Sequence, residues 1–161
     1  PSKVIYDRAH SAIAEAKREE FDWSKLLDGA SWFHFTGITP ALSKEMEEIV
    51  KICREAGKTS KVIFENCYLT EDEKKTLCHI AAKVKPDFIK TSTGFGTGGA
   101  TLEDVALMKK ETEGSGVKIK AAGGIRTLKT ALEMIDLGVS RIGSTSSVAI
   151  MEEYMAHSPL L

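Results

Sequence analysis

The chain has 161 residues, of which 42% are hydrophobic and 28% charged, a composition typical of one globular domain and not of a disordered segment. A formal net charge of −1 excludes the strong basic field with which proteins bind nucleic acid or membrane surfaces. Three cysteines without metal-ligand spacing are typical of a reducing compartment, so we expect a cytoplasmic protein with no metal and no cofactor.

Short β-rich runs recur along the chain roughly every 25–30 residues, which is the size of a βα unit. Several of them are apolar without alternation, as expected of strands that are buried on both faces of a parallel sheet. The predicted strands are Lys3–Tyr6, Trp32–Phe35, Lys61–Glu65, Phe88–Thr91, Val117–Ala121 and Arg141–Gly143.

Helical patterns separate these strands. Pro40 and Gly57 bound a run with apolar residues at helical spacing, and Thr70 with Glu73 forms a capping box. Thr101 precedes a further helix in the same way, and Gly138 follows another. The predicted helices are Ser11–Leu27, Ala41–Ala56, Glu71–Val84, Val105–Lys110 and Leu128–Leu137.

This alternation predicts a single α/β domain over residues 1–161, with a mostly parallel sheet of about six strands. Two arrangements are compatible with it. A doubly wound sheet has helices on both faces and is stable as a monomer, whereas a partial barrel exposes one strand face and needs a partner chain. We expect the doubly wound sheet, because its covered faces need no partner.

Two lysines stand at the carboxyl ends of predicted strands. Lys90 ends one strand and Lys120 ends the next. Lysine is rare in buried strands unless it is paired or functional. Burial and a second nearby cation both lower the pKa of a lysine, and a neutral lysine is a nucleophile. The pair therefore predicts a reactive amine, in preference to two side chains that merely extend to solvent.

Glycine- and hydroxyl-rich turns follow the same strands. Gly94 follows the first lysine strand, Gly123 and Gly124 follow the second, and the run Gly143 to Ser146 follows the last strand. Each turn precedes a helix, so backbone N–H groups and helix N-termini point to one edge of the sheet, as in the phosphate sites of α/β proteins. We expect phosphate, sulfate or a sugar phosphate to bind there.

A dinucleotide site is the alternative for one of these turns. Residues 94–99 match the pattern G-x-G-x-x-G, but the next strand ends at Lys120, Ala121 and Ala122 without the acidic residue that binds the ribose. The missing acid makes this alternative the weaker of the two.

Four segments resemble deoxyribose-phosphate aldolase over roughly residues 60–154, and the KTSTG motif that contains Lys90 is specific to that family. The segments are KVIFENCYLTEDEK, DFIKTSTGFGTGGAT, VKIKAAGGIRT and RIGSTSSVAI. The resemblance implies the last four strands of an eight-stranded (β/α) barrel.

The resemblance also implies a role for each site residue. Lys90 would form a Schiff base with the aldehyde substrate, and Lys120 would be the second lysine that lowers the pKa of Lys90. The residues that would hold the substrate phosphate are Gly94, Gly123, Gly124, Gly143, Thr145 and Ser146. The first four strands of the family, and an aspartate that they carry, are absent from this pattern, which predicts weak or no aldol cleavage.

Residues 3–57 resemble a stretch of 2-keto-3-deoxygluconate kinase, of the ribokinase-like family, most clearly in the run WFHFTGITPAL. That resemblance implies sugar-acid contacts at Tyr6 and Arg8. A kinase piece followed by an aldolase piece predicts a junction near residues 57–60. We therefore expect an engineered chimera without a complete native activity. The alternative is residual class I aldolase or phosphate-binding activity toward 2-deoxyribose 5-phosphate.

Overall fold

The computed structural model describes residues 20–36 and 44–157. The described residues contain one five-stranded sheet whose neighbouring strands are all parallel. The strands are β1 (Trp32–Thr36), β2 (Thr59–Ile63), β3 (Phe88–Lys90), β4 (Lys118–Ala122) and β5 (Val139–Gly143).

Six α-helices are present in the same ranges. The helices are α1 (Trp23–Leu26), α2 (Lys44–Glu55), α3 (Glu71–Val84), α4 (Leu102–Glu111), α5 (Leu128–Asp136) and α6 (Ser147–His157). A short 3-10 helix, Asn66–Tyr68, follows β2. No helix in the described part of the chain is long and apolar enough to cross a membrane.

Threonine caps fix where three of the helices begin. The Thr70 hydroxyl accepts a hydrogen bond from the Glu73 N–H, and the Glu73 carboxylate accepts one from the Thr70 N–H, which confirms the predicted capping box. Thr101 and Thr127 cap α4 and α5 by accepting bonds from Asp104 and Thr130 N–H groups. These caps place the turn that precedes each helix at the carboxyl end of a strand.

The strands lie in chain order across the sheet, from β1 to β5. The predicted doubly wound arrangement is therefore wrong for the described elements, because a doubly wound sheet reverses its strand order at a switch point. Right-handed crossovers between successive neighbours place every connecting helix on the same face of the sheet. The observed arrangement is the partial barrel that the sequence left as the alternative.

The core lies between the sheet and this single layer of helices. The residues that are fully buried there together with Met108 of α4 include Val62 of β2, Phe64 just after β2 and Ile89 of β3. Successive helices pack against each other along the layer. The prediction of helices on both faces is wrong for the same reason as the doubly wound order.

The predicted strand count of about six is also wrong for the described residues, which have five strands. The five agree with predicted runs to within a few residues. The remaining predicted strand, Lys3–Tyr6, lies outside the described residues, as do Tyr6 and Arg8.

Candidate active site

The face of the sheet opposite the helices carries most of the charge of the strands. Because side chains alternate along a strand, Lys90 and Lys120 point away from the face that buries Ile89 and Ile119. The Lys118 ammonium and the Arg141 guanidinium both lie over the Phe88 ring, 5.7 Å and 5.1 Å from its centroid. We call this surface the open face; its charged residues are Lys61, Glu65, Lys90, Lys118, Lys120 and Arg141.

Lys90 and Lys120 are direct partners in the register between β3 and β4. Both are half-buried; Lys90 is the last residue of β3, whereas Lys120 is the middle residue of β4 and not its end, where the sequence predicted it. Burial lowers the pKa of Lys90, the positive charge of Lys120 lowers it further, and the carboxylate of Glu65 opposes both effects. The structure thus brings together the two lysines that the sequence singled out.

Lys61 is a third lysine of this face. The sequence predicts it only as the first residue of a strand, without a role in the site. Its residue is 2% exposed, the most buried of the lysines and arginines on the open face. Burial, followed by the charges of Lys120 and Lys90, lowers its pKa to about 8. The signal that could have found it is the period of two, which places Lys61 on the same face as Glu65 two steps further along.

Gly143 makes room for the Lys120 side chain. A methyl group on Gly143 would lie 3.1 Å from Lys120 Cε and 3.1 Å from the Ala122 Cβ. Gly143 is the register partner of Ala122, so the end of β5 lies beside the end of β4. The glycine therefore contributes space for a lysine side chain in addition to any role in a turn.

The turns after β3 and β4 are packed backbone to backbone. A methyl group on Gly99 would lie 2.4 Å from the Gly123 carbonyl oxygen, so neither position tolerates a side chain without movement. The Ala100 N–H donates to the carbonyl oxygens of Ala122 and Gly123, at 3.1 Å and 3.0 Å. The Thr91 hydroxyl also bonds to the Ala122 backbone, accepting from its N–H at 3.1 Å.

The proposed phosphate residues lie along this carboxyl edge. Gly94, Gly123 and Gly124 have φ angles of 98°, 88° and 79°, a conformation that glycine adopts without steric cost. The Ser144 hydroxyl donates to the Ile125 carbonyl oxygen at 2.6 Å and thereby joins the β5 turn to the β4 turn. Thr145 is exposed and Ser146 half-buried, just before α6 begins.

One N–H group of these turns is already engaged. The Ser146 N–H donates to the Ser144 hydroxyl at 2.9 Å. Gly143 lies beside Lys120, as described above, whereas Gly124 has open space where a side chain would stand. Gly94 and Gly124 are therefore the open positions among the four glycines of these turns, whereas Gly123 is packed against Gly99.

The glycine run 94–99 does not have the geometry of a dinucleotide loop. Helix α4 begins at Leu102 under the Thr101 cap, after the run has ended, and Gly99 packs against the next turn. In the dinucleotide motif the glycines open the helix itself, because the pyrophosphate binds at its N-terminus.

Two surface cavities of about 480 Å³ lie away from the lysines of the open face. One lies between α1 and α2, where Trp23 and Ile52 line it. The other lies between α3 and α4, where Glu71 and Lys110 line it. Neither of these two cavities contains a residue of the open face.

Residues 42–145 match the DeoC/LacD family aldolase. Deoxyribose-phosphate aldolase from Bacteroides thetaiotaomicron is 52% identical over 118 residues, which cover 73% of this chain and 49% of the relative. The enzyme of the same name from Coprothermobacter proteolyticus is 43% identical over 141 residues, covering 88% of this chain and 63% of the relative. The chain thus spans between about half and two thirds of the length of these relatives.

A solved structure gives the same picture of the fold. QR15, an aldolase, superposes with a TM-score of 0.71 at 41% identity, covering 83% of this chain and 63% of that one.

The expectation of an engineered chimera is wrong. An alignment of 141 residues to one natural aldolase, in a chain of 161, must cross residues 57–60, where we expected the junction. The match over residues 42–145 crosses the same point. The kinase resemblance rested on a buried aromatic strand followed by a proline-started helix, and that pattern occurs in many α/β proteins.

Proposed function

This chain belongs to the DeoC/LacD aldolase family, and we propose on that basis that it carries the chemistry of a class I aldolase, with Lys90 as the imine-forming residue. The observation that carries this proposal is the pairing of Lys90 with Lys120 across β3 and β4. Burial and the neighbouring cation lower the pKa of Lys90, which raises the fraction of neutral, nucleophilic amine.

The proposed substrate is 2-deoxyribose 5-phosphate, after the names of the relatives. Its phosphate would bind at the carboxyl edge, against the turns of Gly94, Gly123, Gly124 and Gly143 and the hydroxyls of Thr145 and Ser146. Two features support this placement: the left-handed glycines expose backbone N–H groups, and α6 begins at Ser147 directly after the last of these residues.

The proposed reaction begins when the neutral Lys90 amine attacks the C1 aldehyde carbon; one proton is taken up from solvent and water leaves, which gives a protonated imine. The C2–C3 bond then breaks and its electron pair moves toward the iminium nitrogen, forming an enamine. The C3 hydroxyl loses its proton, and C3 becomes the aldehyde carbon of glyceraldehyde 3-phosphate. Protonation of C2 and hydrolysis of the imine release acetaldehyde and restore Lys90.

A proton acceptor for the C3 hydroxyl is available on the open face. Lys61 lies on the same face as Lys90 and Lys120, and burial together with the charges of these two lysines lowers the pKa of Lys61 to about 8. The lowered pKa raises the fraction of neutral Lys61 amine, which can accept a proton. We assign the proton transfer to Lys61, with Lys120 as its neighbour.

Borohydride trapping tests the imine. The full chain is incubated with 2-deoxyribose 5-phosphate and borohydride, and the covalent adduct is measured by intact-mass spectrometry. We expect one adduct in the parent chain and in the control Lys83→Ala, whose lysine is exposed on α3, and none in Lys90→Ala.

Two results would contradict the proposal: a folded parent chain without an adduct, or an adduct that persists in Lys90→Ala. The same assay with unphosphorylated 2-deoxyribose tests the phosphate site. We expect trapping to be roughly tenfold slower without the phosphate, since binding of a remote group positions the reacting carbonyl.

A further inference from the structure

Glu65 is a buried carboxylate at the end of β2, on the open face. Its residue is 4% exposed, and its backbone has φ 57° and ψ 58°, the left-handed conformation. Residues other than glycine rarely adopt this conformation, because it brings Cβ close to the following carbonyl oxygen. Strained residues of this kind persist only where the surrounding structure holds them, and they are concentrated at functional sites.

The contacts of Glu65 fasten it to the segment that follows Lys90. The Thr93 N–H donates to both carboxylate oxygens, each at 3.1 Å. On either side of Glu65, the Phe64 N–H donates to the Lys90 carbonyl oxygen and the Asn66 N–H to the Thr91 carbonyl oxygen, both at 2.9 Å. Pairing between the two segments therefore continues past the end of the sheet, with Glu65 in the middle.

The turn after Lys90 also passes directly over this carboxylate. A methyl group on Gly96 would lie 3.1 Å from Glu65 Oε1 and 2.9 Å from the Cys67 sulfur. Gly96 thus lets the chain approach the carboxylate closely. A single side chain, that of Glu65 at the end of the neighbouring strand, therefore positions the whole turn from Thr93 to Gly96.

Glu65 also contributes the negative charge to a face that is otherwise cationic in the described residues. The charged groups on the same face as Lys90 are Lys61 of β2, Glu65 just after β2, Lys118 and Lys120 of β4, and Arg141 of β5. Burial and the charge of Lys120 lower the pKa of Lys90, while the Glu65 carboxylate raises it. Glu65 is therefore within electrostatic reach of the amine.

We infer that Glu65 is a positioning residue for Lys90: its buried carboxylate holds the turn that follows the lysine and balances the charge beside its amine. The inference rests on the proposed function, since it gives Glu65 a role only if Lys90 is the reacting group. Glu65 makes two contributions, a hydrogen bond to Thr93 and a negative charge, and different substitutions of Glu65 remove them separately.

The test is the pH dependence of Lys90 labelling in the full chain. Formaldehyde and cyanoborohydride methylate neutral amines, and peptide mass spectrometry reports the extent of methylation at Lys90 at each pH. Glu65→Gln keeps an oxygen that can accept from the Thr93 N–H but removes the charge, whereas Glu65→Ala removes both. Asp104→Asn is the matched control, because Asp104 is a largely buried carboxylate that pairs with Lys74 at 2.7 Å, on the helix side.

For Glu65→Gln we expect the labelling midpoint of Lys90 to move to lower pH, with labelling about twofold faster or more on the acidic side of that midpoint. Hydrogen exchange at the Thr93 amide should stay slow in Glu65→Gln and become at least about tenfold faster in Glu65→Ala. A Lys90 midpoint unchanged in Glu65→Gln, or shifted equally by Asp104→Asn, would overturn the inference.

The outcome does not depend on the sugar phosphate. A chain that shows the shift in Lys90 labelling but traps no 2-deoxyribose 5-phosphate would support the electrostatic link and remove the proposed function. A chain that traps the sugar phosphate but shows no shift in Lys90 labelling would support the proposed function and remove the electrostatic link. The Glu65→Gln variant keeps the test decisive even if Glu65→Ala does not fold.

Discussion

Alternate residues of β2, β3 and β4 point to opposite faces of one sheet, and the two faces are built on different principles. On the helix face, Val62, Ile89 and Ile119 are packed in the core with at most 2% of each exposed. One step along the same strands, Lys61, Lys90 and Lys120 crowd like charges together. Burial stabilises the first face, while charge repulsion and desolvation work against the second.

Because the strands are pleated, the residues that stabilise the fold and the residues that carry the chemistry lie on opposite faces of the sheet. A substitution on the helix face should change the free energy of unfolding and leave the lysines unchanged. Replacing a buried lysine of the open face should change the chemistry and leave stability the same or higher, as is usual where a site is built at the expense of stability. The following predictions test both halves of that statement.

The largest effect is expected on the helix face. Ile89→Ala removes a fully buried side chain next to Lys90 in sequence. We expect the free energy of unfolding to fall by about 3 kcal/mol, since deleting a buried Leu or Ile side chain loses both transfer free energy and packing. Denaturant unfolding measures the loss, and Ile89→Val should lose about 1 kcal/mol.

The same variant should leave the chemistry of the open face in place. In Ile89→Ala, at a temperature where the chain is folded, the pH midpoint of Lys90 methylation should equal that of the parent. A shift of that midpoint, with only a small loss of stability, would show that the two faces are coupled.

On the open face, replacing Lys61 should raise stability. Burial lowers its folded-state pKa to about 8, below the unfolded value, so the unfolded chain binds more protons between these two values. The free energy of unfolding should therefore rise as the pH increases from about 8 toward about 10.4, where the lysine is neutral in both states.

Lys61→Met removes this dependence. Below pH 8 we expect the variant to be more stable than the parent by about 2 kcal/mol, and above pH 10 by little. Lys118→Met is the matched control, because Lys118 is exposed on the same face; its effect should stay within about 0.5 kcal/mol. Equal stability of parent and Lys61→Met at pH 7 would refute the account of Lys61.

Local features of this structure could be predicted from the sequence. The capping box of Thr70 and Glu73 predicted the start of α3, and Lys90 was predicted at a strand end, where the structure has it as the last residue of β3; Lys120, predicted at a strand end as well, is instead the middle residue of β4. These features depend on residues close together in the chain. Caps and strand periodicity are local physics, so a single sequence contains them.

The strand order and the roles of Lys61 and Glu65 could not be predicted in the same way. Each βα unit has the same local pattern whether the sheet runs in chain order or reverses, so the sequence favoured a doubly wound sheet wrongly. The lowered pKa of Lys61 depends in part on the charges of Lys90 and Lys120, and the left-handed Glu65 is held by Thr93, 28 residues away. The period of two indicates the face on which Lys61 lies, but it does not indicate which groups from other strands surround it.

The smallest effect is expected at Gly143, where the two faces meet at the end of β5. The added methyl group of Gly143→Ala would lie 3.1 Å from Lys120 Cε, so the lysine must move by a few tenths of an ångström. Gly143 does not have a positive φ angle, so we expect stability to change by less than about 1 kcal/mol.

Trapping of 2-deoxyribose 5-phosphate at Lys90 should slow by roughly twofold to fivefold in Gly143→Ala, because small displacements of a reacting cluster reduce rates. Ser140→Ala is the control on the same strand: it loses the 3.3 Å hydrogen bond to the Ile119 carbonyl oxygen but leaves the space that Gly143 provides for Lys120 unchanged. Slower trapping in Gly143→Ala alone would place the contribution of β5 in the space it leaves for Lys120, whereas equal slowing in both variants would place it in the packing of the strand.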